Sequence, residues 1–335
     1  MKTPVAFIIF NRPDTTKRVF EAIRQAKPPK LLVIADGPRA DRLGEAEKCA
    51  AARAIIEGVD WECEVLTNYS DVNLGCKIRV SGGLDWVFSE VEEAIILEDD
   101  CLPHPSFFPF CEELLEYYRQ DSRVMHISGC NYGIPGTIPS QSYYFSQVTG
   151  IWGWATWRRA WNLYNNNTKF WLDINERIEF LQGIFKNQKE FRLRFINWQK
   201  VYSGKIDTWD YQWHLTSLCY AGLSIKPNCN LITNIGFSSE ATHTKQDCNG
   251  LSSLIAEDMC FPISHPKFML KDVIADNLYF QKMHGKKFIL IRLIEKLKMM
   301  NLFKFSKSSL NFAAYLSILA LSSILLINTI LYLNT

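Results

Sequence analysis

The chain has 335 residues, with 37 lysines and arginines against 35 aspartates and glutamates, so it can bury a sizeable core and its even charge gives no reason to expect a nucleic-acid partner. Aromatic residues make up 13%, ten of them tryptophan, a large apolar surface that must be buried or stack on a ligand. The ten cysteines show no Cys-x-x-Cys spacing and the start MKTPVAFIIFNRPD lacks a signal-peptide pattern, which argues against a zinc ribbon or a disulfide framework and sets the expectation of a reducing, cytoplasmic setting.

In chain order, residues 4–10 (PVAFIIF) read as a buried strand, 15–26 as a helix with Val19, Ile23 and Ala26 on one face, and 30–37 (KLLVIADG) as a second strand. A helix over 46–58 ends at Gly58, followed by a strand over 63–68, a helix over 78–91 and a strand over 93–99. Strand and helix taking turns four times predicts an α/β fold with a mostly parallel sheet flanked by helices. Ligands of such sheets bind beyond the carboxyl ends of the strands, which is where Asn11, Arg12, Asp36 and Glu98 to Asp100 fall. Further on, 106–120 reads as a helix and 123–129 as a strand. The chain then turns rich in Gly, Ser, Tyr and Trp as far as Trp161, with helical stretches at about 171–203 and 208–221 and alternating strand and loop over 223–245. The two halves are expected to share one continuous sheet.

Within EEAIILEDDCLPHP, three apolar residues run into Glu98, Asp99 and Asp100. Carboxylates this close raise one another's pKa unless a cation sits among them, so a cation from protein or solvent is implied. Solvating a strand end or capping the next helix is the plainer alternative, but a cap needs one acid and not three.

Together these residues resemble nucleotide-sugar glycosyltransferases of the GT-A (Rossmann-like) fold, most nearly the inverting N-acetylglucosaminyltransferase I type and its bacterial relatives. PVAFIIFNRP and LLVIADGPR are similar to that fold's opening strands, LEDDCLPHPSFFPF to its metal motif, GIWGWATWRRAW to its acceptor-side loop and DTWDYQW to the segment with its catalytic base, over roughly residues 4–245. The resemblance implies a metal-dependent inverting enzyme moving a sugar from a nucleotide-diphospho-sugar, UDP being the expected nucleotide, to a glycan or glycolipid hydroxyl. Mn²⁺ or Mg²⁺ would be the cofactor, held by Asp100, with Asp99 and Glu98 contacting ribose, sugar or metal-bound water. It further implies a uracil contact at Asp36, nucleotide or diphosphate contacts at Arg12, Arg79 and Lys77, donor-sugar contacts at Trp152 and Trp154, and a phosphate or metal contact at His243. The family carries two adjacent acids between its tryptophans, where this chain has Asp210 before Tyr211 and Gln212. Asp210 is the expected base, and Asp207 the alternative, unless Asp207 caps the helix it precedes. Plainer readings stand beside several of these: a tight turn for Asp-Gly at 36–37, surface charge for Arg12, core packing for Trp157 and Trp161 on one helical face, and a packed histidine at His214.

On this reading residues 1–285 form the transferase domain, with a nucleotide-binding half over 1–100 and an acceptor and catalytic half over 101–260. A basic amphipathic segment follows over 286–310. The uncharged stretch 311–333 would span roughly 34 Å as a helix at about 1.5 Å per residue, which predicts a C-terminal single-pass membrane anchor on the cytoplasmic face and access to a lipid-linked acceptor. Two other classes compete: a sugar-phosphate nucleotidyltransferase, which should carry a glycine-rich loop after its first strand where this chain has FNRPDTTKR, and a non-catalytic carbohydrate-binding protein of the same fold.

Overall fold

The computed structural model describes residues 1–237 and 250–285. The first half alternates strands and helices: β1 (Val5–Ile9), α1 (Pro13–Ala26), β2 (Lys30–Ala35), α2 (Glu45–Ala54), β3 (Glu64–Tyr69), α3 (Gly75–Glu90) and β4 (Glu93–Glu98). After it come β5 (Cys101–Pro103), α4 (Phe107–Tyr117), β6 (Val124–Ser128), β7 (Tyr143–Ser146), β8 (Trp154–Trp157) and α5 (Arg158–Trp161). Then follow α6 (Thr168–Asn175), α7 (Ile178–Gly183), α8 (Gln188–Tyr202), α9 (Asp210–Cys219), β9 (Leu223–Pro227) and β10 (Ile232–Asn234).

One eight-stranded sheet, ordered β3-β2-β1-β4-β8-β6-β9-β7, runs through both halves. Its first four strands are parallel, the second half is mixed, and β10 pairs antiparallel with β5 in a small second sheet. Because β8 runs antiparallel to both β4 and β6, the strands β1, β2, β3, β4, β6 and β9 all end at one edge. All five residues of β1 are buried, the pattern of a strand covered on both faces. Val5, Phe7 and Ile9 face a core shared with α1 and α4, whereas Ala6 and Ile8 face one shared with α3. The second core also holds Trp154, Trp161, Trp209 and Trp213, with ring centroids 5.3 to 6.3 Å apart.

Several expectations are corrected here. The single helix over 171–203 is three helices, of which α6 and α8 are started by Asn167 and Asn187, whose side chains accept from the amides of Lys169 and Lys189. Trp157 and Trp161 do not share a helical face: Trp157 closes β8 and packs into the α1–α4 core, and Trp161 packs on the other side of the sheet. No helix among the described residues is long and apolar enough to cross a membrane, and the expected cytoplasmic-face location through a C-terminal anchor is withdrawn. Residues 286–333, the basic segment and the hydrophobic helix of that expectation, lie outside the described residues.

Candidate active site

At the strand-end edge, the cation implied by the three acids comes from the chain itself. Pro13 starts α1 with its fixed backbone and leaves Arg12 at the N-cap, its carbonyl taking the amide and hydroxyl of Thr16. The Arg12 guanidinium pairs with Asp99 through one nitrogen and lies 3.0 Å from Asp100 through another. Burial works against that charge, and the two carboxylates outweigh it, so its pKa is raised. Asp99 also accepts the Phe10 amide at 3.3 Å, and Asp100 the Cys101 thiol at 3.4 Å. β10 carries the chain over these acids, with the Ile235 amide 2.8 Å from the Asp100 carbonyl. At Gly236 any side chain would overlap both Asp100 and Arg12.

Glu98 is left out of this neutralisation. Its Oε1 is buried and has no hydrogen-bond partner among the described residues. Burial, then the charges of Asp100 and Asp99, push its pKa up to about 8, with Arg12 opposing. Burial likewise lifts Asp99, against Arg12, to about 6. The Asp210 charge also bears on Glu98, and on Tyr132, Tyr279 and Cys76, so the first turn of α9 lies within electrostatic reach of the acids. Asp210 is half-buried and accepts a hydrogen bond from the Thr208 hydroxyl.

Asp36, at the end of β2, is fully engaged by its own chain. Its carboxylate takes the amides of Gly37 and Leu74 at 2.9 Å and of Gly75 at 3.1 Å, and the Asn73 side chain at 3.1 Å. Burial raises its pKa against those amides. It clamps the turn that opens α3, and Gly37 leaves room for the backbone of Val72. Arg79 is buried and turned to the carbonyl and side chain of Asn68, its pKa lowered by burial. Lys77 lends its backbone amide to a different carboxylate: Asp207 accepts the amides of Cys76 at 2.9 Å and Lys77 at 3.1 Å. Asp207 therefore caps α3, more than 100 residues earlier, and not the helix it precedes, whose N-cap is Trp209 without a side-chain cap.

Of the two tryptophans flanking Gly153, Trp152 is half-buried against Tyr132 and Phe237, at 5.3 and 5.8 Å between ring centroids. Trp154 is fully buried, stacked on His126 and Trp209, and offers no face to a ligand, so its expected donor contact is corrected to core packing. The reason is pleat geometry: β8 begins at Trp154, and its first side chain points under the sheet. His214 is buried against Trp198 and Arg194, and burial holds its pKa well below the usual range. His243 lies outside the described residues. Sequence reading passed over Tyr132, Tyr279 and Cys76, all of which feel the Asp210 charge; they come from three distant parts of the chain, and no local pattern marks them.

No group of three or more His, Cys, Asp or Glu side chains that could hold a metal occurs among the described residues. A divalent ion of the magnesium type needs fewer, since it is commonly bound by one or two carboxylates, water and substrate phosphate. Asp100 with the partnerless oxygen of Glu98 supplies hard donors of that kind, so the residues present fit such an ion.

No protein-family model matches the sequence, and no curated protein matches it. Among solved structures the chain is similar to a UDP-glucose pyrophosphorylase complexed with UDP-glucose (10% identity, TM-score 0.30, 49% of this chain and 79% of that one). It is also similar to S. aureus TarS 1-349 (8%, 0.31, 47% of each chain) and to the apo form of mouse xyloside xylosyltransferase 1 (9%, 0.33, 66% and 84%). These likenesses are too low to carry an argument about the reaction.

Proposed function

We infer that the protein is an inverting glycosyltransferase that takes a sugar from a nucleotide-diphospho-sugar, with UDP as the nucleotide, and delivers it to a glycan or glycolipid hydroxyl. The observation that carries this reading is the convergence of Arg12, Asp36 and Glu98 to Asp100 from the ends of β1, β2 and β4 on one edge, with Asp210 of α9 within electrostatic reach of the acids. In that arrangement Asp210 takes the proton from the acceptor hydroxyl as it attacks the anomeric carbon. Asp36 shapes the nucleotide pocket by holding the 73–75 turn, since its oxygens already accept four hydrogen bonds. Trp152 offers an aromatic face at the mouth of the site for a sugar ring. Arg12 pairs with Asp99 and Asp100 beside the place of the diphosphate. Mn²⁺ or Mg²⁺ would be held by Asp100 and Glu98, and when bound would neutralise charge on the leaving diphosphate.

A nucleotidyltransferase fits less well, because α1 begins at Pro13 directly after Arg12 and leaves no glycine-rich loop behind β1. The test is a panel of nucleotide sugars incubated with the full-length chain, with and without Mn²⁺, following donor hydrolysis. Turnover that requires the ion and is lost in Asp100→Asn, with the fold intact, is the expected result. Release of diphosphate from a nucleoside triphosphate and a sugar phosphate, with no donor hydrolysis, would replace this reading with the nucleotidyltransferase, and metal-independent sugar binding without turnover would replace it with a binding protein.

A further inference from the structure

Asp207 does something that neither a base nor a local helix cap would do. It sits on the exposed loop before α9, and its two carboxylate oxygens accept the amides of Cys76 and Lys77, the first turn of α3. The next two amides back along the chain, Leu74 and Gly75, are taken by Asp36. Two carboxylates thus share the four successive amides at the start of α3, one from the end of a nucleotide-side strand and one from the catalytic segment. The approach is built in, because at Gly75, with φ +80°, a Cβ would lie 2.6 Å from the Asp207 Oδ2. From Asp207 the linkage continues: Thr208 is buried and donates its hydroxyl to Asp210, and Trp209 is stacked on Trp154 in the core.

We propose that Asp207 is a positioning residue, which ties the segment carrying Asp210 to the N-terminus of α3 so that the nucleotide half sets where the base stands. This rests on the reading of Asp210 as the base. The linkage also accounts for the carboxylate at position 207: an acid is favoured at a helix N-terminus and its two oxygens take one amide each, whereas asparagine keeps one acceptor oxygen and so one of the two amides, and alanine leaves both without a partner. A base at this position would behave in the opposite way, since asparagine cannot take a proton from the acceptor.

The test compares Asp207→Asn and Asp207→Ala in the full-length chain by hydrogen exchange and by donor turnover. In Asp207→Ala, exchange at the Cys76 and Lys77 amides should rise roughly five- to tenfold, as for a lost cap. Exchange at the Trp213 amide, which bonds back to Trp209 inside α9, should rise with it. Donor KM should hold while kcat falls by as much as about 10²-fold, the scale of a misplaced catalytic group. Asp207→Asn, which keeps one acceptor oxygen, should fall between wild type and Asp207→Ala in all three. Unchanged exchange at Trp213 in Asp207→Ala overturns the linkage itself, whatever the reaction. Faster exchange at both helices with kcat unchanged leaves the linkage standing and removes Asp210 from the base role. Loss of kcat in Asp207→Asn as deep as in Asp207→Ala, with exchange at Cys76, Lys77 and Trp213 near wild type, overturns the proposal by making Asp207 the base.

Discussion

Replacing Arg12 by glutamine removes the cation that holds the acidic strand end together. The side chains of Arg12, Asp99 and Asp100 are 23%, 4% and 11% exposed, so the ion pairs are largely buried. Removing one partner of a buried pair costs about 3–5 kcal/mol, and water reaching the quarter-exposed guanidinium reduces this, leaving roughly 2–4 kcal/mol for Arg12→Gln at pH 8. The loss should depend on pH with a definite sign. Glu98 and Asp99 have folded-state pKa values raised to about 8 and about 6, so their protonated forms contribute stability that is complete below the ordinary carboxylate range near pH 4 and is lost as pH rises through those values. Arg12 opposes both shifts, and without it both rise further. The deficit of Arg12→Gln should therefore be largest at pH 8.5 and shrink at pH 5, where the acids take up protons in place of the missing charge. Denaturant unfolding of both proteins at the two pH values measures it. An equal deficit at both, or none at either, would refute the assignment of Arg12 as the neutralising cation.

Asp210→Asn keeps an oxygen for the Thr208 hydroxyl, so it should fold normally and lower kcat by about 10²-fold or more with donor affinity unchanged, measured in steady-state donor turnover. Trp154→Ala should cost about 3–5 kcal/mol in denaturant unfolding, since it empties a site ringed by His126, Trp161, Trp209 and Trp213. Trp152→Ala should leave stability much closer to wild type and weaken sugar binding, read by titration with the donor; the reverse order of effects would exchange the roles of the two. Lys226 is buried with its pKa lowered by burial to about 8, so the stability its neutral form contributes is present above about 10 and is lost as pH falls through 8. Lys226→Met should flatten the stability profile between pH 7 and 10, and an unchanged slope there would place the ammonium in water.

The parallel half of the fold was legible because each of its strands is a short, continuous apolar run, a pattern that a parallel strand covered on both faces imposes on its own sequence. The carboxyl ends of β1, β2 and β4 follow from that pattern, and with them the shared edge of Arg12, Asp36 and the acids. What those side chains do there was not legible, because their partners are remote: Arg12 reaches Asp99 across 87 positions, and Asp207 reaches Cys76 across 131. Asp36 is the instructive intermediate. The Asp-Gly pair reads as a tight turn, and its carboxylate does accept from Gly37 next door, whereas the amides of Leu74 and Gly75 come from the loop between β3 and α3. Around Gly153 the sequence pattern reads as a loop, and only the pairing of β8 with β4 and β6 decides that Trp154 turns inward while Trp152 stays at the surface.

A strand that ends in three acids needs three answers, and the fold supplies them unequally. Asp99 receives a guanidinium and a backbone amide; Asp100 receives the same guanidinium and a thiol; Glu98 receives none of these at its buried oxygen, and burial and the neighbouring acids hold its proton further up the pH scale than that of Asp99. The shortfall follows from geometry, since Arg12 hangs from the end of β1 with one planar fork and can face only two carboxylates at once. Glu98 lies in register opposite Ile8, still within the strand, one residue short of that reach. The arrangement costs stability at neutral pH, where the unfolded chain has Glu98 ionised and the folded chain holds it protonated. The partnerless oxygen of Glu98 and the paired acids beside it are therefore one feature, placed where the parallel half of the sheet ends.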